Sequence, residues 1–201
     1  MNFLAHIYLS GDEPLVKIGN FVADSIRGKK YLSYPVQFQN GVILHRAIDT
    51  FTDAHPTVRL STKKLHKNYH HYSSVIVDIF YDHFLAKNWD RYSDIPLSEF
   101  VADFYDLLRE HYDILPLNTK KMMPYMISDN WLLNYASIEG ISRVLNGMNR
   151  RTNNRSKMNF AVNELEEYYE EFQEEFYSFF EELRTYSAHK LQSLQKETDF
   201  N

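Results

Sequence analysis

Residues 41–55, GVILHRAIDTFTDAH, carry two patterns at once. Val42, Ile43, Ala47, Ile48 and Phe51 form an apolar face at helical spacing, while His45, Asp49 and Asp53 recur every fourth residue along one ridge. The segment must therefore bury one side and keep an imidazole and two carboxylates close to that buried surface. Polar groups so placed are costly unless something pairs them, and a divalent metal ion is the simplest common partner for a His with several Asp.

The remainder of the chain is consistent with a helical setting for that ridge. Apolar spacing, proline stops and glycine ends predict helices over 2–9, 15–26, 35–52, 57–69, 73–86, 96–112, 119–136, 138–148 and 159–194. No period-two pattern persists, and neither a repeat nor a low-complexity linker divides the chain. The expectation is one all-α helical bundle spanning residues 1–201, with the acidic, aromatic helix 159–194 packed on it as a lid or rib. A chain of 201 residues with 44% apolar content can fill such a core, and its 15 Tyr and 14 Phe predict packing by large rings whose hydroxyls need partners. The absence of cysteine excludes disulfides, thiolate nucleophiles and zinc–thiolate sites, and fits a reducing, cytoplasmic setting. The opening MNFLAHIYLSGDEP lacks the basic and long apolar regions of a signal peptide, and no run approaches the ~18 apolar residues of a membrane span.

Two further helices repeat the polar spacing of four: Asn20 with Asp24, and Asp78 with Asp82, the latter followed by His83. Each pair lies among apolar residues, so Asp24 is expected to be at least half buried. Each also has an ordinary explanation: a hydrogen-bonded core residue, or a carboxylate paired with Arg46 or Arg27. Their joint occurrence points instead to one polar centre inside the bundle. Hard oxygen donors with one or two His suit Mn²⁺ or Mg²⁺ better than Fe²⁺ or Zn²⁺. Such an ion lowers the pKa of a bound water and polarises a phosphoryl oxygen, which makes phosphate ester hydrolysis the natural chemistry.

No glycine-rich phosphate loop, serine elbow or metalloprotease histidine pair is present. The net charge of −5 is divided unevenly: residues 1–160 hold 19 Lys and Arg against 16 Asp and Glu, residues 161–201 hold 3 against 11. Basic segments at 27–30, 59–67 and 150–157 suit an acidic protein partner better than a nucleic acid, given a pI near 6.0.

The segments MNFLAHIYLS, IGNFVADSIRG, GVILHRAIDTFTDAHP and VDIFYDHFLAKNW resemble the bacterial acyl carrier protein phosphodiesterases, and a weaker similarity continues through DNWLLNYASIEGISRVLNGMNRR. The resemblance covers the chain to about residue 155. It implies a divergent member of the His-Asp metal-dependent phosphohydrolases, an HD-domain-like bundle that cleaves holo-acyl carrier protein to the apo-protein and 4′-phosphopantetheine, with Mn²⁺ preferred and Mg²⁺ or Fe²⁺ as alternatives. Carried over by motif, Asp24, His45, Asp49, Asp78 and Asp82 are metal ligands or their supports, with His6, Asp53, His55 and His83 as weaker candidates. The adjacent His-Asp pair of the larger superfamily is missing, since Arg46 follows His45 and only the reversed Asp82-His83 occurs.

On this reading Arg46 or Arg27 offsets charge on the phosphoryl oxygens and a His or Asp passes a proton to the leaving serine oxygen. Arg27, Lys29, Lys30, Arg59, Lys63, Lys64, Arg150 and Arg151 steer the acidic carrier protein. Two alternatives differ in kind: a related phosphohydrolase acting on a nucleotide or other small phosphodiester, and a non-catalytic helical adaptor whose carboxylates only pair with core arginines.

Overall fold

The computed structural model describes residues 1–199, with side chains through residue 197. Its helices are α1 (Phe3–Tyr8), α2 (Pro14–Val22), α3 (Val36–Ala54), α4 (Pro56–Tyr69), α5 (Ser73–Lys87), α6 (Leu97–Glu110), α7 (Leu117–Ser128), α8 (Trp131–Asn134), α9 (Ile138–Arg151), α10 (Val162–Glu167) and α11 (Tyr169–Asp199). Short 3₁₀ turns join several of them, and no strand occurs among the described residues. The all-α architecture read from the sequence holds, and no described helix is long and apolar enough to cross a membrane.

Helix α5 is the axis of the core. Its sequence is apolar nearly all round, and Ile76, Val77 and every residue from Ile79 to Ala86 are buried, as a helix without a polar face requires. Helix α11 is more than a lid. Phe172, Phe176, Phe179, Phe180 and Leu183 are fully buried against α3, α4 and α5, and Phe176 stacks on Phe180 with ring centroids 4.9 Å apart. The tyrosine hydroxyls find partners as expected: Tyr81 meets Ser61 at 2.7 Å, and Tyr69 donates to Glu164 at 2.7 Å.

Three acidic residues of α10 and α11 serve the same contact. Glu175 accepts from Ser61 and Lys64, Glu182 lies 3.3 Å from His55 Nε2, and Glu164 also accepts from Asn68. Lys64, expected on a docking face, is thus tied into the protein, its ammonium also lying over the Phe172 ring.

Several boundaries depart from expectation. The α-helix at residue 22 gives way to a 3₁₀ turn, Ala23–Ser25, instead of running to residue 26. Segment 119–136 is divided at Asn130, which adopts a left-handed φ of 47°. Helix α9 continues through Arg151, and the final helix is interrupted at Tyr168.

The pairing that matters most for function is α2 on α3. A Cβ on Gly19 would lie 2.1 Å from the Phe38 carbonyl oxygen, and one on Gly41 would lie 2.2 Å from the Val16 carbonyl oxygen. Only hydrogen fits at either point, so the two backbones touch.

Candidate metal centre

The contact between α2 and α3 brings the end of one helix against the middle of the other, and α1 folds over both. His6 of α1 and His45 of α3 stack with ring centroids 4.0 Å apart and planes 19° apart. One turn beyond His45, Asp49 places Oδ2 3.1 Å from His45 Nε2 and Oδ1 3.3 Å from His6 Nε2. Asp24 Oδ1 lies 3.2 Å from His45 Nε2.

Both rings are also held from behind. His6 Nδ1 is 2.8 Å from the Asn20 side-chain oxygen, and His45 Nδ1 is 2.8 Å from the Asn20 main-chain oxygen and 3.2 Å from Oδ1. Asn20 lies in the last turn of α2, and its main-chain oxygen accepts the Ala23 N–H while also facing His45.

The two histidines have opposite electrostatics. Burial and the neighbouring His45 push His6 down to about 4, so it is neutral at pH 7. Burial also opposes charge on His45, but the hydrogen bonds and charges of Asp24 and Asp49 outweigh it and raise His45 to about 9. Asp49 stays well below the usual carboxylate range: burial opposes its charge, and the two imidazoles more than compensate. Asp24 is lowered by its hydrogen bond with His45.

His6, His45 and Asp49 each offer a ligand atom, all within 4.8 Å of one another. His6 Nε2 is buried and makes no hydrogen bond, although Asp49 is near. An unpartnered ring nitrogen facing a carboxylate, with a second nitrogen and a second carboxylate beside it, fits a divalent cation. The surrounding cavity, about 210 Å³, has Met1, Asn2, Phe3, His6, Phe21, Asp24, His45, Asp49, Asp53 and Asp78 as its walls. Four of these are carboxylates, so a phosphate would be repelled unless a cation were bound first.

The structure separates residues that the motifs had grouped. His45, Asp49 and Asp24 come together, but Asp24 sits on the 3₁₀ turn with its side chain 82% exposed, at the cavity mouth instead of half buried. Asp78 lines the cavity but pairs with the Met1 ammonium at 2.8 Å. Asp82, fully buried, accepts the Leu4 and Ala5 N–H groups at 2.7 and 3.2 Å, and burial raises it to about 7. Both carboxylates of α5 thus fasten the start of α1, the helix that carries His6. The repulsion expected between them is relieved by an ammonium and two amides.

Arg46 points away from the cluster. It donates to the Ile26 and Gly28 carbonyls at 3.3 and 2.8 Å and lies 4.9 Å over the Tyr31 ring, bracing the loop beyond Asp24. His83 is held between the Tyr135 carbonyl and the Tyr169 hydroxyl, and His55 accepts the Thr57 N–H at the start of α4. Asp53 is exposed on the cavity wall, where Arg59 donates to its main-chain oxygen at 3.4 Å. His6, ranked low from the sequence, is central; its signal was an isolated ionisable group in an otherwise buried helix. Asn20 is expected from the sequence to share the polar centre with Asp24, but its contact with both histidines is not.

Residues 1–183 match the family model described as acyl carrier protein phosphodiesterase. Among curated relatives, the acyl carrier protein phosphodiesterase of Yersinia pestis is 29% identical over 94% of this chain and 99% of its own length. That of Photorhabdus laumondii is 30% identical over 90% of this chain and 91% of its own. That of Escherichia coli O139:H28 is 30% identical over 94% and 99%. No solved structure matches the chain.

Proposed function

The chain belongs to the acyl carrier protein phosphodiesterase family, and from that membership we propose that it hydrolyses holo-acyl carrier protein to apo-acyl carrier protein and 4′-phosphopantetheine in a metal-dependent reaction. The observation that carries the metal dependence is the buried, unpartnered Nε2 of His6 beside Asp49 and His45 in a cavity walled by four carboxylates. His6, His45 and Asp49 hold the ion, Mn²⁺ by preference with Mg²⁺ or Fe²⁺ as alternatives, and Asp24 supplements them at the mouth. When bound, the ion supplies an acidic water and draws charge from the phosphoryl oxygens.

The other roles belong to the chain. With both Nε2 atoms and Asp24 turned to the ion, the exposed carboxylate Asp53 is the group left to pass protons between the cavity and solvent. Arg46 acts by holding the 26–28 loop. Beyond Asp24 that loop leads into an open groove lined by Ser25, Ile26, Lys29, Lys30, Leu32, Ser33, Tyr34 and Pro116. Arg27, Lys29 and Lys30 at one lip, and Arg59 and Lys63 on α4, form the basic surface offered to an acidic carrier. Arg150 and Arg151, exposed at the end of α9, are available to extend it. A cytoplasmic setting fits a chain without cysteine.

Intact-mass spectrometry of holo-acyl carrier protein tests the reading. Incubation with this protein and Mn²⁺ should remove the whole phosphopantetheine group, and a chelator should prevent it. An unchanged mass from folded, metal-loaded protein would refute the assignment.

A further inference from the structure

The two histidines share a support that itself has only one stable orientation. Asn20 is fully buried, and its Nδ2 donates to the His6 main-chain oxygen at 2.9 Å and to Ser10 Oγ at 2.8 Å. The Ser10 hydroxyl spends its own proton on the same His6 oxygen, at 2.7 Å, which leaves Oγ free to accept. Two acceptors on one side identify the nitrogen end of the amide, so Oδ1 must face the rings. Oδ1 and the Asn20 main-chain oxygen can only accept. In its neutral form each ring, His6 and His45, therefore carries its proton on Nδ1 and its lone pair on Nε2.

We propose that Asn20 is the positioning residue of this centre: its side-chain and main-chain oxygens hold His6 and His45 in the Nδ1–H form, directing both Nε2 lone pairs at the space beside Asp49. The consequence for metal affinity rests on the metal reading above; the ring tautomers do not. The two rings also depend on Asn20 differently. His45 keeps the main-chain oxygen of residue 20 at 2.8 Å whatever the side chain there, whereas Oδ1 is the partner of His6 Nδ1. Without Oδ1, His6 is free to move its proton to Nε2 and donate it to Asp49 Oδ1, 3.3 Å away. That shift would occupy the lone pair and the carboxylate oxygen that a metal ion requires.

The test is long-range ¹H–¹⁵N correlation of the histidine side chains in the full, metal-free protein, in buffer alkaline enough to keep both rings neutral. The wild-type protein should show Nδ1–H on both. Asn20→Leu, which keeps the branching at Cγ but has no acceptor, should move His6 to Nε2–H, leave His45 unchanged, and weaken Mn²⁺ binding about 10- to 100-fold, the usual cost of losing such a support. Asn20→Asp, which keeps an acceptor, should retain the wild-type His6 signal. A purely structural role for Asn20 would not give this split between two rings in a folded variant. Nε2–H on wild-type His6 would overturn the proposal even if Asn20→Leu failed to fold. So would a folded Asn20→Leu with the wild-type His6 tautomer or undiminished Mn²⁺ affinity. Correct tautomers in a wild-type protein that binds no Mn²⁺ would refute the metal reading and leave the tautomer assignment standing.

Discussion

Loading the centre with Mn²⁺ at neutral pH should release one proton, and that proton should come from His45. Of the groups involved, His6 is already neutral, being held down to about 4, while Asp24 and Asp49 are already ionised. His45 alone, raised from 6.5 to about 9, carries a proton that the ion must displace. Apparent metal affinity should therefore climb about tenfold per pH unit between roughly pH 7 and 9 and level off above that. Without metal, the same shift favours folding. A histidine raised on folding contributes fully below its unfolded value of 6.5, and the contribution is lost as pH rises through about 9. At full strength the shift corresponds to about 3 kcal/mol. Because Asp24 is 82% and Asp49 42% exposed, solvent screening reduces it to roughly 1–2 kcal/mol. Titration calorimetry in two buffers of different ionisation enthalpy counts the proton, and urea denaturation of metal-free protein from pH 6 to 10 measures the stability change. Release of no proton or two, or affinity flat between pH 7 and 9, would refute this charge assignment.

Asp82→Ala should destabilise the protein by about 2–4 kcal/mol in urea denaturation, since two buried N–H groups lose their acceptor. It should also weaken Mn²⁺ binding, because those groups begin the helix that carries His6. Gly41→Ala should cost about 3 kcal/mol or more, or prevent folding, because its methyl group would meet the Val16 carbonyl oxygen; thermal melts decide this. Asp49→Asn should abolish metal-dependent turnover while leaving the helical circular-dichroism spectrum intact. Reversing Arg27, Lys29 and Lys30 to Glu should raise KM for holo-acyl carrier protein and remove most of the salt dependence of kcat/KM, with little change in kcat.

The helical architecture was legible because it rests on local periodicity, which the chain displays from end to end. The proximity of His45 and Asp49 was legible for the same reason: four residues on one helix are neighbours whatever the tertiary fold. Features that depend on two helices meeting were hidden. Asp78 and Asp82 have ideal spacing for a shared cation, but their partners are the first residues of a helix some 80 positions earlier, which no local pattern announces. Asp24 was read as half buried on the assumption that its helix ran on to residue 26. The chain instead leaves the helix at Val22, and the loop beyond is held to α3 through Arg46. The importance of His6 and Asn20 likewise emerges only when α1 and α2 are laid against α3.

The glycine contact between α2 and α3 gives the centre a fixed gauge. Where side chains stand between helices, a substitution that adds or removes a methylene shifts one element against another. Where Gly19 and Gly41 stand, main chain rests on main chain, and that thickness is the same for every amino acid. Asn20 adjoins one contact point and His45 follows the other by a single turn, so their separation is referenced to peptide geometry and is insulated from changes in core volume. Repacking elsewhere in the bundle reaches the Asn20–His45 distance only through that backbone contact.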